Sequence, residues 1–492
     1  MDLHEAQTRL MASLNDFSHA FQKIPGSEIL IRYIQSSYQN DPVRSAIELV
    51  LVIFFIRYLL SPSYATHGPN YVKLREDEID ELVKDWEPEP LVPAQTPMEK
   101  QEADNLPIIV GPTGPKTKLS NGKTVTNLAS YNFYNFNANE QVKEKAIQTL
   151  QTYDVHMKTE SDIATYLGTQ SCIVYAQAFS TVSSVIPAFC KRGDIIIADK
   201  MVNFSIRKGL EASRSNIVWY NHNDMEDLER QMQKVVQQQA KKKLTRRFVV
   251  VEGLSNSSPS TSSVSAWMKP GLLVFLGRTG RGLTEAQNVD ASQIDMITGS
   301  LAGPLCAGGG FCCANKDVVE HQRINAASYT FSAALPAMLA VTASETLNML
   351  QSNPELLTQL RENIKAMRAQ LDPRSDWVIC TSVPENPIMI IVLKPEVVQA
   401  RGLTPEDQER ILQDCVEETL NNGVMVTKLK SLPARQSSGA PNDGTWYIQP
   451  AIKVCVTSGL SKKEIEKAGV TIRHAITKVM TRKTNRQSSV NP

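Results

Sequence analysis

The segment from Asp295 to Ala314, "DMITGSLAGPLCAGGGFCCA", has the pattern of a loop that could hold a reactive cofactor. Its apolar start predicts a strand, which small residues and then a triple glycine, Gly308 to Gly310, follow. In some enzymes such a loop carries a lysine whose amine forms a Schiff base with a carbonyl cofactor. Here no lysine lies between Lys269 and Lys316. The sequence therefore predicts a cofactor loop without the residue that binds the cofactor.

The composition limits the kinds of partner. The 492 residues include 52 basic and 51 acidic side chains, so a net charge of +1 gives no global field that would attract nucleic acid. The eight cysteines lie in apolar stretches, without the spacing of a metal site. We expect reduced, mostly buried thiols in a reducing compartment, and neither a metal nor a nucleic acid as ligand.

The N-terminal part is predicted to meet a membrane. Residues 1–45 form an amphipathic region, and residues 46–60, "AIELVLVIFFIRYLL", are almost continuously apolar. This run is shorter than the roughly 20 residues that cross a bilayer, and Glu48 and Arg57 lie near its ends. We interpret it as a transmembrane or membrane-anchoring helix, with a short or tilted span favoured over an in-plane anchor or a buried helix. Membrane lipid is therefore an expected partner.

A proline-rich linker is predicted over residues 61–107, centred on "DWEPEPLVPAQTP". It is either an extended spacer or a strap that lies over a neighbouring subunit, with Trp86 as its anchor. At the other end of the chain, residues 483–492 are predicted to form a disordered tail.

Between these ends the sequence predicts an α/β fold. Over residues 108–345, short apolar strands such as "GDIIIAD" and "RRFVVVEG" alternate with helical patterns. This alternation indicates a mainly parallel sheet covered on both faces. One long helical pattern, from Pro336 to about Leu371, leads into a smaller α+β domain over residues 346–482, with strands "PIMIIVL", "VMVTKL" and "AIKVCVT".

Several motifs together resemble the α-oxoamine synthases, which have the aspartate-aminotransferase fold and use pyridoxal phosphate to condense an amino acid with an acyl-CoA. They are "VTNLASYNF", "KRGDIIIADKMVNFSIRKGLEASRS", "HNDMEDLE", "GRGL", "DMITGSLAGPLCAGGGF", "HQRINAASYTFSAALP" and "AIKVCVT". The match covers nearly everything after Ile108. The N-terminal apolar segment, "DWEPEPLVP" and "GGFCCANKDVVEHQR" are most similar to the long-chain base subunits 1 of serine palmitoyltransferases, which are non-catalytic members of this family.

The resemblance assigns roles to individual positions. It implies that Gly303 occupies the position of the Schiff-base lysine and Asn203 that of the ring-stacking histidine. Lys453 takes the place of a carboxylate-binding arginine, and no acid lies between Lys269 and Glu285, where the family has its pyridine-nitrogen partner. We therefore expect no catalytic residue in this chain.

The resemblance also implies a partner. The family's active site lies at a dimer interface, so a chain without the lysine is expected to form a heterodimer with a lysine-bearing catalytic subunit 2 of serine palmitoyltransferase, which would bind the pyridoxal phosphate. Phe179 and Ser332 remain as vestigial cofactor-binding positions, Ser332 as a phosphate donor towards the neighbouring site. The implied reaction condenses L-serine with palmitoyl-CoA to a keto long-chain base, the first step of sphingolipid synthesis. The implied location is the endoplasmic reticulum membrane with the large domain in the cytosol, where small regulatory membrane subunits are compatible partners.

Two stretches are shorter than the resemblance implies. Between Tyr153 and Asp154 a glycine-rich interface loop is missing, and from about Ser255 to Leu276 a low-complexity run replaces an expected helix and strand. An imprecise gene model and a truly diverged paralogue both explain the gaps. Two other functions stay open beside the non-catalytic subunit: a catalytically dead membrane scaffold, and an active homodimeric acyltransferase with its lysine elsewhere.

Overall fold

The described part of the chain falls into two units. The computed structural model describes residues 27–60, 74–86, 92, 94–137, 139–149, 155–200, 202–222, 224–238, 245–252, 265–268, 276–372, 374–429 and 449–482. One unit ends at Gln101, and the other extends from Glu102 to the C-terminus. The join between Tyr153 and Asp154 and the tail predicted over residues 483–492 lie outside the described residues.

Helices make up the first unit. They are α1 (Ser27–Asn40), α2 (Pro42–Leu60) and α3 (Glu76–Asp85), and α4 (Pro97–Asp104) extends across its boundary. Helix α2 begins where the Asp41 side chain accepts a hydrogen bond from the backbone N–H of Arg44 at 3.1 Å, with proline at the first helical position. No residue of α2 is buried, and its apolar side chains are exposed up to 78% at Leu60.

The predicted transmembrane span is not found. Among the described residues, no helix has both the length and the apolarity that crossing a bilayer requires. Helix α2 covers the predicted segment 46–60 but carries Arg44, Glu48 and Arg57 within its 19 residues. Three charged side chains are costly at membrane depth, which is why this helix does not meet the requirement for a span.

A seven-stranded sheet forms the centre of the second unit. Its strands are β3 (Ser171–Tyr175), β4 (Ile195–Asp199), β5 (Asn216–Tyr220), β6 (Arg247–Val251), β7 (Ser265–Met268), β8 (Met296–Ser300) and β9 (Gly310–Ala314). The spatial order is β3-β9-β8-β7-β6-β4-β5, with β9 antiparallel to both neighbours and the other pairs parallel. Every residue of β4 is buried, as expected for a strand covered on both faces. The predicted α/β architecture is confirmed.

Helices and a short turn connect these strands. They are α5 (Glu140–Thr149), α6 (Val155–Leu167), α7 (Ala178–Phe189), α8 (Phe204–Ser213), α9 (Met225–Gln238), α10 (Leu283–Ala286), the 3-10 turn Ala291–Gln293, α11 (Lys316–Asn325) and α12 (Ala327–Thr330). Strand β7 lies inside the low-complexity run from Ser255 to Leu276, where we predicted that no strand remains. The backbone of β7 pairs with β6 and β8. These backbone hydrogen bonds form a strand although the side-chain pattern does not predict one.

The C-terminal part adds a second layer of helices and two smaller sheets. Its elements are α13 (Ala337–Ser352), α14 (Glu355–Leu371), β10 (Val378–Cys380), β11 (Ile388–Leu393), α15 (Pro395–Arg401), α16 (Pro405–Asn421), β12 (Val424–Met425), β13 (Thr427–Leu429), β14 (Ala451–Cys455) and α17 (Lys462–Thr481). Strands β10-β11-β14-β13 form an antiparallel sheet. Strand β12 instead pairs with β1 (Lys116–Lys118) and β2 (Thr124–Asn127) in a three-stranded sheet of order β1-β2-β12.

Two predictions about this part were wrong in detail. The long helix predicted from Pro336 to Leu371 is two helices, because Pro354 lacks an N–H and disfavours a helical conformation at Asn353, which has φ −127° and ψ 72°. The single strand predicted for "VMVTKL" divides into β12 and β13, which belong to different sheets. One continuous hydrophobic core joins the large sheet to this part. The domain boundary predicted near residue 345 falls inside α13, and it stays a prediction.

Candidate active site

The carboxyl ends of the parallel strands place several predicted residues at one edge of the large sheet. Asn203 follows β4, Glu252 follows β6, and the loop Leu301–Gly309 follows β8. Strands β4 and β6 are neighbours in the sheet. The next strand after β4 in the sequence, β5, lies on one side of this pair, and the next strand after β6, β7, lies on the other side. Such a switch point opens a crevice in which α/β proteins bind ligands. Across it, the backbone N–H of Asn203 donates to Glu252 Oε2 at 2.8 Å.

The loop after β8 is tightly closed. The backbone N–H of Leu301 donates to the carbonyl of Gly309 at 2.9 Å, and that of Ala307 donates to the carbonyl of Leu301 at 3.2 Å. The side chains of Leu301 and Leu305 are almost completely buried and hold the loop on the core. The loop is therefore a fixed part of the fold.

Gly303 lies within this loop in a conformation that favours glycine. Its φ is +76°, and a Cβ added there would lie 3.3 Å from Tyr131 Cβ. Lys453, in β14, reaches the same tyrosine from the other sheet: its Nζ donates to the Tyr131 hydroxyl at 3.2 Å and lies 4.4 Å from the ring centroid. Two predicted positions, Gly303 and Lys453, thus both lie next to Tyr131.

Cys306 is the reactive side chain nearest to Gly303 in the loop sequence. It has a positive φ of 52°, and its Sγ lies 3.7 Å from the Gly303 carbonyl oxygen. Burial raises the pKa of the Cys306 thiol to about 12. Because only the thiolate is a strong nucleophile, Cys306 does not replace the missing lysine at neutral pH.

Asn203 caps helix α8. Its Oδ1 accepts hydrogen bonds from the backbone N–H of Ser205 at 2.9 Å and from the Ser205 hydroxyl at 2.8 Å. This satisfies one of the backbone donors that every helix leaves free at its start. The side chain at the predicted ring-stacking position is therefore engaged in holding the helix.

Phe179 and Ser332 lie near the N-terminal ends of α7 and α8. The ring of Phe179 is 6.1 Å from that of Phe204, and both are about half exposed. The Ser332 hydroxyl donates to the Ser328 carbonyl at 2.7 Å, and Ser328 in turn contacts Ser180 Oγ on α7 at 2.8 Å. The structure thus brings Phe179 to the start of the helix that Asn203 caps, and it links Ser332 to α7 only through Ser328.

A cleft of about 810 Å³ lies between α6, β3, α11 and α12. Its lining includes Ser332 and none of Gly303, Asn203 and Phe179. Within the lining, Arg323 Nη2 donates to Glu160 Oε2 at 2.7 Å. Among the described residues, no group of three or more histidine, cysteine or acidic side chains could hold a metal ion.

Sequence reasoning missed a polar pair beside the crevice. Asp199 ends β4 with its side chain almost fully buried, and His222 Nδ1 lies 3.0 Å from its carboxylate. The hydrogen bond to Asp199 raises the pKa of His222, against the opposing effect of burial. Asp199 ends the motif "GDIIIAD" and His222 begins the motif "HNDMEDLE". Their positions at the ends of adjacent strands could have predicted that the two side chains meet.

Comparison with known proteins identifies the family. Residues 123–472 match the family model "Aminotransferase class I and II". Serine palmitoyltransferase 1 of Saccharomyces cerevisiae is 31% identical over 537 aligned positions, which cover 94% of this chain and 93% of the relative. Long chain base biosynthesis protein 1c of rice is 36% identical and covers 68% of this chain.

The chain belongs to the serine palmitoyltransferase 1 family. Solved structures agree on the fold: one titled as serine palmitoyltransferase with its pyridoxal phosphate internal aldimine aligns with a TM-score of 0.64 at 20% identity, over 77% of this chain and 96% of that one. The enzyme of Sphingomonas wittichii aligns with a TM-score of 0.63 at 18% identity, over 78% of this chain and 96% of that one. The yeast alignment, at 537 positions, is longer than this chain of 492 residues. The yeast family member therefore has segments without a counterpart here.

The described residues do not fit a covalently held pyridoxal phosphate, although the family fold is built for one. Gly303 offers no amine, and a side chain added there would begin against Tyr131. The Asn203 amide lacks an aromatic face and is engaged in the helix cap. We therefore derive no catalytic step through the cofactor on this chain.

Proposed function

We propose that this chain is the non-catalytic subunit of a serine palmitoyltransferase, which condenses L-serine with palmitoyl-CoA when a lysine-bearing subunit completes the enzyme. The observation that carries the proposal is the loop Leu301–Gly309, which follows β8 and contains no lysine, with Gly303 at the position that the resemblance assigns to the Schiff-base lysine. Pyridoxal phosphate would then be bound by the partner subunit alone.

An exposed aromatic surface supports a heterodimer. Phe179, Phe204, Tyr329 and Phe331 are exposed by 49%, 55%, 37% and 86%, respectively. The contacts of Ser328 with Ser180 bring α12 against α7, so these rings belong to one region of the surface. Aromatic residues concentrated on a surface are typical of protein interfaces. We place the partner subunit on this region.

Helix α2 supports a location at a membrane. Its exposed apolar side chains would be covered by lipid if the helix lay in the interface of a bilayer. Palmitoyl-CoA and the long-chain product both partition into lipid, so an anchor would keep the enzyme near its substrate. We propose attachment to the endoplasmic reticulum membrane with the residues after Glu102 in the cytosol.

The test is reconstitution from separate chains. This chain and a lysine-bearing serine palmitoyltransferase subunit are purified singly and together, and formation of the keto long-chain base from serine and palmitoyl-CoA is measured. We expect activity only in the mixture, and borohydride-stable labelling by pyridoxal phosphate only on the partner. Turnover by this chain alone would refute the proposal, as would full activity of the partner without it.

A further inference from the structure

Helix α3 presents an apolar stripe that no described residue covers. Ile79, Leu82 and Val83 follow one another at intervals of three residues and one residue, which places them on one side of the helix, and the exposed Trp86 follows directly at its C-terminal cap. Their exposed fractions are 45%, 57%, 66% and 69%, and no residue of α3 is buried. Because exposed apolar side chains are unfavourable in water, we expect another surface to cover this stripe.

The rest of the helix is strongly acidic. Its ten residues, "EDEIDELVKD", carry six carboxylates and one lysine. Helices that lie on membranes usually present lysine and arginine on their polar face, because biological membrane surfaces are anionic. The charge of α3 therefore opposes binding to lipid and favours a basic surface.

The length of α3 also indicates a partner. Isolated helices shorter than about 12–15 residues are marginal in water even when their sequences favour helix. Helix α3 has 10 residues, and the stabilisation at its start is local: three acidic residues in the first turn, with Glu78 Oε2 accepting from the backbone N–H of Arg75 at 2.8 Å. Docking of the stripe into an apolar groove would supply the missing stabilisation.

We propose that α3 docks into an apolar groove bordered by lysine and arginine on the lysine-bearing partner subunit, with Leu82, Val83 and Trp86 as its anchors. This inference rests on the proposed function, which supplies the partner. It adds the contact that would hold the linker region onto that subunit.

The test measures binding of the full chain to the purified lysine-bearing subunit. The variant carrying both Leu82→Ser and Val83→Ser is compared with Ile379→Ser, which makes the same kind of change at a side chain 43% exposed in β10. Burying one such side chain corresponds to about tenfold to a hundredfold in affinity. We expect the double variant to bind at least tenfold more weakly and Ile379→Ser to bind as the unsubstituted chain does.

Two further measurements identify the groove. Replacing Asp80 and Glu81 by their amides should lower the salt dependence of binding, since exposed charge pairs are screened. A photo-reactive phenylalanine in place of Trp86 should crosslink to a partner peptide that contains lysine or arginine beside apolar residues. Crosslinking only within this chain would overturn the proposal, and so would salt dependence that the amides leave unchanged.

The outcomes separate this inference from the function on which it rests. If the unsubstituted chain binds the partner and restores activity while the double variant binds equally well, α3 is not the docking helix and the proposed function stands. If the unsubstituted chain neither binds nor restores activity, the proposed function fails and this inference with it. Weaker binding of the double variant to vesicles of phosphatidylcholine and phosphatidylserine, with partner binding unchanged, would make lipid the occupant and overturn the proposal.

Discussion

Replacing Gly303 tests whether the loop after β8 has lost the ability to carry the cofactor. A non-glycine residue with a left-handed backbone costs roughly 1–2 kcal/mol, and φ at Gly303 is +76°. The added Cβ also lies 3.3 Å from Tyr131 Cβ, closer than ordinary contact. The less flexible unfolded chain offsets about 0.4–1 kcal/mol of this cost. We expect Gly303→Ala to lower the free energy of unfolding by about 1 kcal/mol, measured by urea denaturation.

A matched control separates the cost of the left-handed backbone from the cost of the close contact with Tyr131. Gly193 has φ +98°, and a Cβ added there meets nothing within 4 Å. The excess of Gly303→Ala over Gly193→Ala therefore reports the contact with Tyr131 Cβ, and Tyr131→Gly, which removes that atom, should abolish the excess. Equal stability of Gly303→Ala and the unsubstituted protein would refute the reasoning about the backbone.

The chemical part of the test uses Gly303→Lys. The protein is incubated with pyridoxal phosphate, reduced with borohydride and analysed by peptide mass spectrometry, with a lysine-bearing relative as the positive control. We expect no specific pyridoxyl adduct at the introduced lysine, because its side chain starts against Tyr131 and Asn203 is engaged in its cap. Labelling as complete as in the positive control would show that the loop lacks only the lysine. It would contradict the conclusion that the residues around Gly303 do not fit a covalently held cofactor.

Three further predictions concern the neighbouring polar groups. Arg323→Leu leaves the largely buried Glu160 carboxylate without its cationic partner, while the backbone N–H of Val174 still donates to it, and should destabilise the protein by about 1–3 kcal/mol, with partial recovery when Glu160→Gln is added. Asn203→Ala removes the cap of α8 and should cost about 1 kcal/mol in urea denaturation, whereas Asn203→Asp should cost less. Asp199 raises the pKa of His222, so its stabilisation is full below pH 6.5 and is lost as pH rises through the higher folded-state pKa. Thermal melts of His222→Gln should therefore lack that loss above pH 6.5, and a decline as steep as in the unsubstituted protein would exclude this pair as its cause.

The repeating pattern of short apolar strands made most of the large sheet predictable. Strand β4 is buried along its whole length and β6 at every residue after Arg247, so an unbroken apolar run bounded by glycine or charge marks them directly. The elements that escaped prediction depend on distant contacts. Strand β7 exists through its pairing with β6 and β8, and β12 leaves its neighbour β13 to pair with β2.

The candidate site was predictable in a different way. Similarity to known motifs predicts that Gly303 and Asn203 stand at replaced positions, and this stays a prediction; it gives no role to the two residues themselves. The role of Tyr131 as the contact of both Gly303 and Lys453 follows from the meeting of two sheets that are far apart in sequence. No local sequence pattern predicts that Tyr131 lies next to both residues.

Under the proposed assignment, the residues at the three replaced positions take part in structural interactions. Glycine at position 303 permits the left-handed loop, Asn203 caps a helix, and Lys453 lies over Tyr131 while it donates to the tyrosine hydroxyl. Mutations that only removed catalytic groups would have left unsatisfied donors and empty space, which are costly in a protein interior. Here the three residues instead stabilise the loop, the helix end and the contact between the sheets. A return to covalent cofactor binding would therefore require coordinated changes at all three positions, because a single lysine would disrupt one of these contacts before it gained a function.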